Sequence, residues 1–360
     1  MTIEIKNLRK MYGANAAVAG IDLDIPEGEM LVLLGPSGCG KTTTMRSIAG
    51  LETPDTGKIS IKGRVVYDAA AGINIPTNER QVGMVFQSYA IWPHMTVFQN
   101  VSFPLEMANV GKSEIKRRVD DILKLVGLTG FDDRGASYLS GGQMQRVALA
   151  RSLVMQPAVL LFDEPLSNLD ARLRDHLRVQ LRELQTQLKI TSVYVTHDQK
   201  EALALADKIV VMQLGNVMQE DDPVTLYHKP KTATIADFLG YSNIFDVSVA
   251  GSEVSFLANG QKMRTEGVVP QGAKGIVACA RPDDIEIRKV EGTPSNLPEN
   301  TLVGEILLAS FVGSHMQYRV KVHDDLIWEA LSRDVYADIR VGTRVALTVA
   351  PRDLLLLPKE

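Results

Sequence analysis

Gly35-Pro36-Ser37-Gly38-Cys39-Gly40-Lys41-Thr42 follows a continuous apolar run at residues 30–34 and leads into a helical pattern at residues 41–49. Strand, glycine-rich loop and helix in that order make a phosphate-binding loop. Gly35, Gly38 and Gly40 let the backbone curl until its N–H groups surround phosphate oxygens. Pro36, Ser37 and Cys39 occupy the curl, and the helix N-terminus at Lys41, Thr42 and Thr43 adds a favourable dipole. Lys41 is placed to reach the β- and γ-phosphates of a nucleotide, and Thr42 to hold Mg²⁺ through its hydroxyl.

Roughly a hundred residues later, Leu139-Ser140-Gly141-Gly142-Gln143 also suits phosphate, at the amino end of a helix. One polypeptide around one nucleotide has no obvious use for both stretches. The redundancy predicts a composite site in which each stretch serves a different ATP across a two-fold interface. Leu160-Leu161-Phe162-Asp163-Glu164 adds two carboxylates at the carboxyl end of a buried strand, where open α/β sheets bind ligands. Asp163 would contact Mg²⁺, and Glu164 would polarise a water in line with the γ-phosphate.

A length of 360 residues predicts two or three domains. The formal net charge of -4 leaves no basic footprint for nucleic acid. No apolar run approaches the ~20 residues of a membrane-spanning helix. Residues 1–6 alternate as a strand and lack a signal-peptide profile, so residence in the cytosol is expected. Cys39 and Cys279 lie far apart, which argues against a disulfide framework.

Ile21, Leu23 and Ile25 alternate as on a half-buried strand. Residues 88–155 read as mostly helical, with a helix from Ser113 whose apolar face holds Ile115, Val119, Ile122 and Val126. Leu173, Leu177, Leu181, Leu184 and Leu188 recur at helical spacing as a core-facing stripe, too short for a lasting coiled coil. Buried strands at residues 158–162, 192–195 and 208–212 alternate with these helices, indicating a mostly parallel α/β sheet. Beyond Gly240 short alternating strands take over, at residues 245–249, 275–280, 302–308, 317–322 and 344–349. Turns at Pro270-Gln271-Gly272 and residues 291–298 punctuate them, as in a small β-barrel or sandwich.

The order of motifs resembles the nucleotide-binding subunits of ATP-binding cassette (ABC) transporters over residues 1–238. Tyr12, residues 35–42, Gln87, residues 139–143, Asp163-Glu164, residues 167–170 and His197 fall in family order. The resemblance implies a P-loop NTPase cassette: a mostly parallel sheet core plus antiparallel β and helical subdomains, the helical one at about residues 88–155. By it, Tyr12 stacks on adenine, and Gln87 touches Mg²⁺ and the attacking water. His197 bonds the γ-phosphate and positions that water. Ser140, Gly141, Gly142 and Gln143 clamp the γ-phosphate of the opposite subunit's ATP, and Asp170 crosses the dimer interface. Met144 stands where related proteins commonly have Gln; it lies beyond the phosphate-binding residues, so hydrolysis is expected to survive. Cys39, beside a helix N-terminus, is either a reactive thiol or an inert filler of the loop.

Residues 239–360 resemble the OB-like accessory barrel of the maltose, polyamine and ferric-iron importer ATPases, with Ala280-Arg281-Pro282-Asp283-Asp284-Ile285 as a recurring element. In importers the region after Gln87 helps line a cleft for a coupling helix, so Trp92 and Pro93, within residues 87–95, are the expected permease contact. The resemblance implies an ATP-hydrolysing homodimer at the cytoplasmic face of the inner membrane. Its partners would be integral membrane permease subunits and, indirectly, an extracytoplasmic solute-binding protein, with no nucleic acid. Residues 238–245 look more like the polyamine and ferric-iron group than the sugar or glycerol-phosphate importers. A soluble cassette ATPase acting on DNA or ribosomes would call for a long coiled-coil insertion or a second cassette, and neither is seen.

Overall fold

The computed structural model describes residues 1–270, 272, 275–290, 297–334 and 338–359; Gln271 and residues 291–296 of the expected turns lie outside them. Two compact units divide the chain, Met1–Leu226 and Tyr227–Glu360.

The first unit runs β1 (Ile3–Tyr12), β2 (Asn15–Ile25), β3 (Met30–Leu34), α1 (Lys41–Ala49), β4 (Thr56–Ile61), β5 (Arg64–Asp68), β6 (Ile73–Asn74) and β7 (Val82–Val85). A helical stretch follows: α2 (Val97–Met107), α3 (Lys112–Leu125) and α4 (Gly141–Leu153). Then come β8 (Val159–Asp163), α5 (Ala171–Leu188), β9 (Thr191–Thr196), α6 (Gln199–Leu205), β10 (Lys208–Gln213) and β11 (Asn216–Asp221).

One sheet is antiparallel, in the order β2-β1-β4-β5-β6. In β1, Ile3, Ile5 and Leu8 face the core; a register slip between Ile5 and Leu8, with Asn7 at φ 47, keeps Leu8 inward. The other sheet has the order β11-β10-β3-β9-β8-β7 and is parallel except for the β10–β11 pair. Every residue of β3, β8 and β9 is buried, as expected for strands covered on both faces. The parallel registers Leu34↔Thr196, Asp163↔Val195 and Val85↔Phe162 bring four strand ends to one edge. The phosphate loop, Asp163-Glu164, His197 and Gln87 leave from that edge.

Two helical readings need correction. Helix α3 starts at Lys112 behind Gly111, and its buried stripe is Ile115, Val119 and Leu123; Ile122 is only half-buried. An i, i+4 stripe leaves residue 122 at its margin. In α5 only Leu177 and Leu181 of the leucine row are fully buried, and Leu188 is exposed. The next inward position belongs to Gln185, whose amide donates to the carbonyls of Gly28 (2.7 Å) and Ile190 (3.2 Å).

In the second unit the short helix Ala233–Phe238 packs through Ala233 and Ala236 on Tyr241, Val277, Cys279 and Leu357. The division therefore falls ahead of the join at residue 238 read from sequence. Two five-stranded antiparallel sheets follow. They share one core around Trp328, Tyr318 and Phe256. Phe245 and Phe256 flank Trp328 at ring separations of 4.9 and 6.0 Å.

Candidate functional site

The phosphate loop is shaped by backbone positions that only glycine fills. Gly35 has φ 155 and Gly40 φ 105; a Cβ added there would stand 2.2 Å from the carbonyl oxygen of Met212 or of Ala17. Lys41 is buried, and its ammonium donates to the carbonyls of Gly35 and Pro36, both at 2.8 Å. The charge is thus held under the curl, with the exposed residues Pro36, Ser37 and Gly38 over it. Thr42 and Thr43 are half-buried in the first turn of α1.

Asp163 is buried at the end of β8, where its Oδ1 accepts from the Thr42 hydroxyl at 3.3 Å. Burial pushes its carboxyl up from the ordinary value, against the opposing pull of Arg46 and Thr42. The Arg46 guanidinium lies 3.6 Å from Oδ2. Arg46 is one helical turn beyond Thr42, a signal that i, i+4 spacing could have found. Glu164 adopts φ 44, a left-handed conformation that costs a non-glycine residue about 1–3 kcal/mol. Its N–H still donates to Val195 O at 3.1 Å, and its Oε2 lies 3.4 Å from Nδ1 of the exposed His197.

Gln87 reaches the same cluster through two residues that sequence reasoning gave no individual role. Its amide donates to Ser167 Oγ at 3.2 Å, and that hydroxyl donates to Glu164 O at 2.9 Å. Asn168 Nδ2 in turn donates to Gln87 O at 2.9 Å. No spacing rule links positions 80 residues apart, so only the fold reveals these bonds.

Tyr12 is 52% exposed, with its hydroxyl donating to Glu52 Oε2 at 2.8 Å. Lys10 Nζ sits 5.2 Å from its ring centroid and pairs with Glu52 at 2.7 Å. An exposed ring held at its edge is suited to stacking on a flat base. Cys39 behaves differently from the reactive thiol considered above. The residue is 1% exposed and belongs to the core cluster that includes Met45 and Ile48, with the Lys41 ammonium 3.6 Å from its Sγ, so reagents have little access to it.

Ser140 caps α4 in a reciprocal box with Gln143. Gln143 N donates to Ser140 Oγ at 3.4 Å, and Ser140 N donates to Gln143 Oε1 at 2.9 Å. Gly141 and Gly142 meet α5 and the loop before it: a Cβ would lie 3.1 Å from Leu169 Cδ2 or 3.2 Å from Leu173 Cδ1. Asp170 caps α5, accepting from Leu173 N at 3.0 Å. Among the described residues, the Ser140 and Gln143 side chains each accept from the other's backbone N–H and make no bond to the phosphate loop of their own chain.

Trp92 is half-buried between Phe103 (centroids 4.6 Å apart) and the Arg151 guanidinium (4.7 Å from its ring). Asn100 grips its backbone, accepting from Trp92 N at 2.9 Å and donating to Trp92 O at 3.1 Å. Arg151 also donates to the carbonyls of Tyr89 and Ala90, two consecutive left-handed residues at φ 61 and 49. Pro93 and His94 are left exposed at the tip of this braced segment.

Comparison with known proteins shows the family of the chain. The ABC transporter family matches residues 18–167, and the TOBE domain family matches residues 278–357. The chain is 45% identical over 324 residues to the Fe(3+) ions import ATP-binding protein FbpC of Rhizobium etli, covering 89% of this chain and 87% of that one. It is 40% identical over 366 residues to the spermidine/putrescine import ATP-binding protein PotA of Rubrobacter xylanophilus, covering 99% and 94%. The dimeric post-hydrolysis structure of the ATP-binding cassette MJ0796, bound to ADP and Pi, matches with a TM-score of 0.53 at 31% identity, over 61% of this chain and 98% of that one. The chain belongs to the ATP-binding subunits of ABC importers, an ATP-hydrolysing cassette followed by an OB-like TOBE domain.

Proposed function

We propose that two copies of this chain close on two ATP molecules, hydrolyse them and reopen, driving solute uptake through a membrane permease. One observation carries the reading. Contacts run from Thr42 to Asp163, from Glu164 to His197, and from Glu164 through Ser167 to Gln87, while Ser140 and Gln143 bond each other. A set so divided suits two nucleotides shared between two chains.

In this reading adenine stacks on Tyr12, and the triphosphate lies over residues 35–43 with the Lys41 ammonium beneath. The Glu164 carboxylate takes the proton of the attacking water, and His197 and Gln87 hold that water in line. The second copy supplies its residues 140–143 to the γ-phosphate and Asp170 to the interface. The Thr42 hydroxyl and the Asp163 carboxylate, with phosphate oxygens, form a donor set that Mg²⁺ takes; Gln87 would complete it. Bound there, Mg²⁺ offsets the phosphate charge.

The braced segment at residues 87–95 supports a docking role, with Trp92 and Pro93 receiving a permease helix at the cytoplasmic face of the inner membrane. Its nearness to Gln87 would let closure move the partner. Among the described residues no helix is long and apolar enough to cross a membrane. The names of the relatives support ferric iron or a polyamine as solute; an extracytoplasmic binding protein would deliver it. Reconstitution with the permease that co-purifies with this chain tests this: ATP turnover should rise with binding protein loaded with Fe³⁺ or with spermidine. Stimulation by a sugar-loaded receptor alone would contradict the assignment.

A further inference from the structure

His197 is held by what surrounds its two neighbours. Thr196 donates through Oγ1 to Glu201 Oε2 at 2.8 Å, and Tyr194 OH donates to the same oxygen at 2.9 Å. Asp198 Oδ1 caps α6, accepting from Lys200 N and Glu201 N at 2.7 and 3.1 Å. Each carboxylate therefore keeps one oxygen for something else, and both of those oxygens face Arg174. Its Nη1 lies 3.6 Å from Asp198 Oδ2, and its Nε lies 3.9 Å from Glu201 Oε1.

The third arm of the same guanidinium points elsewhere. Arg174 Nη2 donates to Leu169 O at 3.0 Å, in the loop whose Ser167 touches Glu164 and Gln87. The planar fork thus spans the loop before α5 and the start of α6, which share no strand. Its Nε is buried without a hydrogen-bond partner, and a shift of under an ångström would bring it to Glu201.

We propose that Arg174 is a positioning residue for hydrolysis. It couples the loop at residues 167–170 to the turn carrying His197, so that seating the loop seats the imidazole against Glu164. The inference rests on the hydrolytic reading above and adds a link between the proposed dimer interface and the reacting end of the site. Arg174 touches neither nucleotide nor water in this scheme, so its loss should act on turnover rather than on ATP binding.

The test uses full-length protein, comparing R174K, R174A and R174Q with the unaltered chain for kcat and KM for ATP. Thermal melts check folding, and E164Q serves as the hydrolysis control. R174A and R174Q should lower kcat roughly 10- to 100-fold, with KM within about twofold, as misplacing a catalytic group does. R174K, which keeps a cation for Asp198 and Glu201, should recover part of the loss. Two results would overturn the inference: kcat for R174A and R174Q within twofold of the parent, or a fall in kcat matched by an equal rise in KM or loss of folded protein. If unaltered protein turns over and E164Q does not, such a result removes only the Arg174 link. If unaltered protein shows no turnover, the hydrolytic reading fails first.

Discussion

His197 Nδ1 lies 3.4 Å from Glu164 Oε2, with the two residues leaving neighbouring parallel strands at the same edge. Neither position is ordinary. Glu164 is held at φ 44, and His197 is exposed just past a strand whose own residues are all buried. Strained backbone concentrates where a fold over-determines it, and this one aims a carboxylate and an imidazole at the same space.

If Glu164 is the base, Glu164→Gln removes proton acceptance while keeping size and most hydrogen bonds. ATP turnover should fall at least ~100-fold, and the variant should elute as a dimer when given ATP and Mg²⁺. A monomer of unchanged turnover would contradict the assignment.

Lys41→Ala should have two effects. The ammonium holds the carbonyls of Gly35 and Pro36, so apo stability in urea should drop by about 1–3 kcal/mol. ATP affinity should weaken at least ~10-fold as the phosphate charge goes unmet. A variant that binds ATP like its parent would remove Lys41 from the nucleotide site.

Asp163 predicts a trade of function against stability. Its folded carboxyl is pushed up by burial, so the folded state keeps the proton to higher pH than the unfolded chain. That contribution is present below the ordinary aspartate range and is lost as pH rises through the folded value. Asp163→Asn should therefore melt a few degrees higher than the parent at pH 7–8, with the difference shrinking near pH 4. The variant should also lose the extra stabilisation that ATP gains from added Mg²⁺. A lower melting point at neutral pH would contradict the burial argument.

Cys39 should resist maleimide in native protein with or without ATP, and label fully once unfolded, because the residue is 1% exposed. Rapid native labelling would show that the loop opens far more often than its packing implies.

The parts legible in the sequence were those with local physical causes. Glycines at φ 155 and 105, all-apolar strands and an Asp-Glu pair at a strand end each announce themselves over a few residues. Contacts joining distant loops do not: Ser167 with Gln87, Asn168 with Gln87, and Arg174 with Asp198 depend on strand order and register. Polar residues inside also hid the pattern, as Gln185 does within the leucine row of α5. In the second unit the strands Glu253–Phe256, Lys262–Arg264 and Leu355–Pro358 are too short or too polar for periodicity to mark.

The central claim is that one chain does not own a complete reaction centre, and mixing two crippled proteins measures it directly. One parent carries Ser140→Arg and the other Lys41→Ala, each nearly inactive alone. Paired, they should rebuild one working centre from the intact loop of the first and the intact cap of the second, with turnover well above either parent. Hybrids confirmed to have formed, yet hydrolysing no faster than the parents, would contradict it.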